Sequence, residues 1–213
     1  MNLDKYHFLS SIDKLNNFCK SFKFENSSDT FLDYYVDICT AFNTEHFLVD
    51  TLPMRMDDSF MVTHFFNTHS SNEAGSCIKG FEFDFYFSKY FKIILMLVGY
   101  NAKDDAFFES SLFFKNDNEI IVREILTDNF IRRTYRNDSK VFSLKTDFDI
   151  FMLILDKSIR ELCDLMIYLP KLKIIVKVEG LLLNCLVFDN VEFLDNMVKT
   201  EGLYLRKLSE ENF

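Results

Sequence analysis

The hydrophobic period changes at a proline between residues 146 and 188, and this limits the fold more than any other feature. Thr146 or Asp147 can cap a long helix, because Phe148, Phe151, Leu155, Ile159, Leu162 and Met166 recur at near-helical spacing. Pro170 carries no N–H and its ring clashes with the preceding turn, so a helix cannot run through it. Beyond it, Lys171, Lys173 and Lys177 alternate with Leu172, Ile174, Val176 and Val178, the two-residue period of a half-buried strand. Glu179-Gly180 then turns the chain into the apolar run 181–188, which reads as a β-hairpin with a buried second strand. A long helix followed by a hairpin points to an α+β chain.

The flanking segments extend this reading. Leu3, Phe8, Ile12, Leu15 and Phe18 predict one helix; Phe31, Tyr34 or Tyr35, Ile38 and Phe42 predict a second, capped by Ser27 or Ser28. The expected start is therefore an N-terminal helical hairpin. Residues 59–66 are aromatic and β-branched and predict a strand. Phe81, Phe83, Phe85 and Phe87 alternate with Glu82, Asp84 and Tyr86, which predicts a second strand. The apolar run 93–98 predicts a central strand ended by Gly99-Tyr100-Asn101. Shorter strands are expected at 106–114, 119–126 and 141–144. Asn190 can cap a short helix through Val198, and Gly202 leads to a last strand over 203–208. The expected architecture is a mostly antiparallel central sheet with the helical hairpin before it and the long helix and β-hairpin in its C-terminal half. A length of 213 residues suits one domain, with residues 1–50 as a candidate helical sub-lobe.

Composition narrows the function classes. With 48% hydrophobic and 27% charged residues, a sizeable core can form. The 26 Phe, with no Trp, follow from A/T-rich coding more readily than from an aromatic binding surface. Cys19, Cys39, Cys77, Cys163 and Cys185 are odd in number and contain no CxxC pair, which suits reduced thiols rather than a disulfide scaffold or a zinc site. The N-terminus meets charges at Asp4, Lys5, Asp13 and Lys14, unlike a signal peptide, and no apolar run reaches the roughly 18 residues of a membrane span. A cytoplasmic protein is expected. The net charge of −9 is concentrated toward the two ends, which disfavours nucleic acid and anionic lipid and favours solubility or a basic protein partner.

Each candidate site in the sequence also has a plainer reading. His64 and His69 lie five apart, so a strand points them to opposite faces and a metal pair is disfavoured; no cofactor or metal is expected. Cys77, in Gly75-Ser76-Cys77-Ile78-Lys79-Gly80, could serve as a nucleophile with His64 or His69 as base, although the loop has no thiol-enzyme signature. Asp138-Ser139-Lys140, with Glu124 or Asp128, has the form of a metal-nuclease triplet but follows a turn-like Asn137. Arg132, Arg133 and Arg136 with Tyr135 could grip phosphate and a base, but neighbouring acids nearly neutralise them. Asp29, Asp33 and Asp37 fall on one ridge of the second predicted helix, with Glu45 two turns beyond. Like charges at this spacing repel by a few tenths of a kcal/mol per pair, so an internal or a partner's cation should answer them.

The leading expectation is a non-catalytic protein-binding module, in its sharpest form an acidic inhibitor of a basic partner, as an immunity protein or antitoxin is, or a chaperone for a secreted protein. Asp29, Asp33, Asp37 and Glu45 are its partner-binding candidates. The alternatives are an enzyme with a dispersed site around Cys77 and a nucleic-acid-binding protein using Arg132, Arg133 and Arg136.

Overall fold

A computed structural model describes residues 44–52, 77–113, 141–160 and 162–208. Their elements are strand β1 (Glu45–Asp50), helix α1 (Cys77–Asn101), β2 (Phe107–Ser110), β3 (Phe142–Ser143), α2 (Leu144–Ile159), β4 (Leu165–Leu169), β5 (Ile174–Val178), β6 (Leu183–Val187), α3 (Val191–Thr200) and β7 (Tyr204–Lys207). Short 3-10 turns flank β2 at Lys103–Asp105 and Ser111–Phe113. The strands form one sheet in the order β3-β2-β4-β5-β6-β1-β7, and every neighbouring pair is antiparallel. The described chain is thus a mixture of helix and antiparallel sheet, as expected. The predicted helical hairpin, the strand over 59–66 and the strand over 119–126 lie outside the described residues.

Register sorts the strand residues onto two faces, because cross-strand partners point the same way. Phe108, Ile167, Val176, Cys185 and Phe47 are partners across five strands. Their face joins Tyr90, Ile93, Ile94, Leu97 and Val98 of α1 and Phe151, Ile154, Leu155 and Ile159 of α2 in one apolar core. Within it Phe108 meets Phe113 and Phe151 edge-on, with centroids 5.9 and 5.6 Å apart, and Phe113 meets Phe142 at 4.9 Å, geometries that suit the ring quadrupoles. The opposite face carries Met166, Tyr168, Ile175 and Leu186, all fully buried.

α1 overturns two predictions. The expected strand of alternating Phe over 81–87 and the expected central strand over 93–98 are parts of one helix of 25 residues, and Gly99-Tyr100-Asn101 closes it rather than turning between strands. Tyr90, Ile93, Ile94, Leu97 and Val98 are buried on one side, the 3.6-residue stripe of an amphipathic helix. That stripe sets the conformation, and the shorter alternation before it is absorbed into the same helix.

α2 also differs from expectation. Ser143 caps it, its Oγ accepting a hydrogen bond from the Lys145 N–H at 3.2 Å. The predicted cap at Thr146-Asp147 is instead a kink, with Asp147 at φ −125° and ψ 32°. The Thr146 hydroxyl lies 2.7 Å from Asp147 Oδ2 and 3.3 Å from the Ser143 carbonyl, side-chain bonds that compete with regular helix. The helix stops at Ile159, so Met166 belongs to β4 and Pro170 ends a strand rather than a helix. The hairpin of β5 and β6 forms as expected around Glu179-Gly180, with Gly180 at φ 61°, a conformation favourable to glycine. Asn190 precedes α3 in a left-handed conformation without a side-chain cap bond; its carbonyl accepts from the Phe193 N–H at 3.2 Å instead.

β1 had no counterpart in the sequence reading. It links β6 to β7, so the order of the sheet depends on it.

Candidate functional site

Polar groups gather on the sheet face opposite α1 and α2. Lys177 and Asn184 are cross-strand partners there, and His46 stands two residues along β1 from Leu48, the partner of Asn184. The Lys177 ammonium pairs with Glu179, whose second oxygen accepts from the Asn184 amide. Asn184 Oδ1 lies 3.3 Å from His46 Nε2. Charge and hydrogen bonds therefore run Lys177, Glu179, Asn184, His46 across three strands. Toward one edge, Arg206 pairs with the buried Asp50, and Asp50 Oδ1 also accepts from the Leu52 N–H at 3.2 Å. Toward the other, the Tyr168 hydroxyl donates to the buried Glu109 carboxylate at 2.9 Å. Burying charge is tolerable when it is paired and hydrogen-bonded; Asp50 and Glu109 meet that condition, while Arg206 is paired through Nη2 and its buried Nε has no hydrogen-bond partner.

The protonation states follow from burial. Desolvation is the main influence on His46 and lowers its pKa, against the hydrogen bond it makes to Asn184 and the charge of Glu179, so its ring is neutral at pH 7. A neutral ring whose Nε2–H faces Asn184 Oδ1 is the tautomer that satisfies this contact. Burial pushes the Cys185 thiol up to about 12 and raises Cys163 as well; both are protonated thiols at neutral pH and poor nucleophiles. Burial chiefly holds Tyr90 well above the usual phenol range. Among the described residues, no group of three or more His, Cys, Asp or Glu could hold a metal ion.

The second feature is the sheet edge at β7. The Leu208 N–H donates to the His46 carbonyl at 2.9 Å, which with the Leu48–Arg206 and Asp50–Tyr204 register directs the backbone of Tyr204 and Arg206 toward β1. The N–H and C=O groups of Leu205 and Lys207 consequently face away, and among the described residues no strand lies beyond them. Tyr204 and Lys207 are exposed. The Lys89 ammonium lies 3.4 Å from where a Cβ on Gly202, just before the strand, would sit. It also lies over the Phe85 ring at 4.4 Å.

The sequence candidates are mostly not placed by these residues. Asp29, Asp33, Asp37, His64, His69, Arg132, Arg133, Arg136 and the Asp138 triplet lie outside the described residues. Cys77 opens α1, so residues 77–80 are helix rather than the expected turn. Glu45 begins β1 and is not on a helical ridge; Lys207 pairs with it. An internal cation therefore answers one of the four acids. The polar face went unread because its members are scattered from position 46 to 206 and only the strand register brings them together. The β7 edge left one sequence signal, the short strand after Gly202.

Together the fold and these features define an antiparallel α+β protein with a hydrogen-bonded polar face and, among the described residues, a sheet edge at β7. Among the described residues no helix is long and apolar enough to cross a membrane. Compared with protein-family models, curated proteins and solved structures, the chain matches none of them.

Proposed function

We propose that this chain is a protein-binding module. The observation that carries the reading is the open edge at β7, where the backbone groups of Leu205 and Lys207 face away from β1 with no strand beyond them among the described residues. Such a row of donors and acceptors recruits an extended segment of another chain. In its sharper form the module is an acidic inhibitor of a basic partner, of the immunity-protein or antitoxin kind, or a chaperone for a secreted protein, acting in the cytoplasm. The net charge of −9 and the helical spacing of Asp29, Asp33 and Asp37 in the sequence favour that form, since an acidic surface steers encounter with a basic one.

The test is affinity capture from the native host at low salt with a parallel high-salt wash. One stoichiometric protein is expected, and a basic one released by salt supports the inhibitor or chaperone form. Recovery of no protein at either salt concentration overturns the reading. With a partner in hand, the double substitution Asp33→Lys and Asp37→Lys should slow association about tenfold or more while changing dissociation little; unchanged association removes the acidic ridge from the account.

A further inference from the structure

We infer that the β7 edge binds an extended peptide segment rich in acidic side chains, added antiparallel or parallel to β7 as an eighth strand. The inference rests on the protein-binding reading in its general form, not on its basic-partner form, and names the chemistry of the segment that the edge takes. Three observations carry it.

First, the outward backbone groups alternate along β7 at Leu205 and Lys207, the spacing at which an added strand forms its ladder. Second, the charges around this edge are asymmetric. Lys92 is 60% exposed at its side chain while its partner Glu201 is 11% exposed. Lys207 is 60% exposed against 48% for Glu45, and Arg206 is 17% exposed against 4% for Asp50. The asymmetry is clear at Lys92, whose partner Glu201 is tucked inward, whereas Lys207 and Glu45 are both exposed and Arg206 is mostly buried against Asp50, so the exposed cations near this edge are Lys92 and Lys207 on a chain that is net acidic overall. Third, the Lys89 ammonium beside Gly202 rests on the rings of Phe85 and Tyr86. It is a cation placed at the start of the edge and available to a carboxylate.

The same charges disfavour a second copy of this chain as the occupant. Antiparallel pairing of two β7 edges that satisfies Leu205 and Lys207 of each copy sets Arg206 opposite Arg206, and like charges directly opposite destabilise a pair of strands. Lys and Arg on an edge strand are a common guard against this kind of self-association, and an acidic segment is what such a guard admits.

The test uses the full chain and two short synthetic peptides of one β-forming pattern, in which alternate Val or Thr residues are separated by Glu in one and by Lys in the other. The Glu peptide should bind measurably by fluorescence anisotropy at low salt, with the Lys peptide at least roughly tenfold weaker. Amide exchange at Leu205 and Lys207 should slow when the Glu peptide is added. Lys207→Pro removes an outward donor where an edge strand tolerates proline, and it should abolish binding while circular dichroism shows an unchanged fold. Lys89→Glu, which leaves the strand itself untouched, should weaken the Glu peptide by about tenfold.

Equal binding of the two peptides overturns the acidic specificity and leaves the binding-module reading standing. Glu-peptide binding that Lys207→Pro does not change overturns the edge as its site. A dimer in sedimentation that Lys207→Pro dissolves assigns the edge to a second copy and overturns the inference. Neither peptide binding, while a host protein is still captured, overturns it without touching the proposed function.

Discussion

Burial separates the side chains that hold this molecule together from those that only cover it. Leu153 and Leu155 are two residues apart on α2, yet Leu155 is fully buried and Leu153 is 47% exposed. Leu155→Ala should therefore cost about 2–5 kcal/mol, the transfer term plus the cavity left behind, whereas Leu153→Ala should stay within roughly 0.5 kcal/mol. Urea unfolding of the two variants checks this, and similar losses would mean that the packing of α2 on the sheet is not as described. His46 gives a prediction in pH. Its folded pKa is lowered, chiefly by burial, so the unfolded chain binds the proton more readily and stability rises with pH in this window. The contribution is fully present above the unfolded value of about 6.5 and is lost as pH falls through the folded value. His46→Gln should flatten the dependence of unfolding free energy on pH between neutrality and mild acid; an unchanged slope would assign the effect to other groups. Cys185, with its thiol pushed up to about 12 and no exposed surface, should resist alkylation in the native protein and react once urea unfolds it, as peptide mapping would show.

At the level of elements, the legible parts were those whose ends are set by local backbone chemistry. Gly180 at φ 61° fixes the β5–β6 hairpin and Gly202 at φ 68° fixes the entry to β7, so both could be read from single residues. Gly180→Ala should cost about 1–2 kcal/mol, because an L side chain is strained in that conformation, and a neutral result would mean that the turn relaxes. α1 was misread because Phe81 to Phe87 alternate over seven residues, while the stripe of Tyr90, Ile93, Ile94, Leu97 and Val98 that defines the helix lies after them. β1 was missed for a different reason. Its Phe47 and Val49 face the helices while His46, Leu48 and Asp50 face the other side, and all five are buried, so no hydrophobic alternation marks it. Of the four partner-binding acids, only Glu45 falls among the described residues, and its cation, Lys207, comes from the neighbouring strand β7, 162 positions away in sequence. Sequence spacing cannot indicate a partner that only strand order brings close.

For the molecule as a whole, the β7 end of the sheet is assembled from segments far apart in the chain. β1 pairs with β7, and the Arg206 guanidinium meets the Asp50 carboxylate across 156 positions of sequence. Such long-range pairing must overcome a large loop-closure entropy before it contributes to stability, so a strong local contact is useful there. Asp50 is almost fully buried and Arg206 nearly so at its side chain. Removing one charge leaves the other without compensation, which costs about 3–5 kcal/mol at a buried pair. Asp50→Asn keeps the shape and an oxygen to accept from the Leu52 N–H but removes the charge, and it should be destabilised by that order. Replacing both partners, Asp50→Asn with Arg206→Leu, should recover much of the loss, because no lone buried charge remains. The exposed Lys145–Asp104 pair at 3.5 Å supplies the contrast, since breaking it should cost about 0–1 kcal/mol. Thermal unfolding of the two single variants and the double variant reads the coupling directly. A double variant as unstable as Asp50→Asn alone would show that the loss comes from packing at Asp50 and not from its charge, and the closure of β1 on β7 would then rest on backbone bonds.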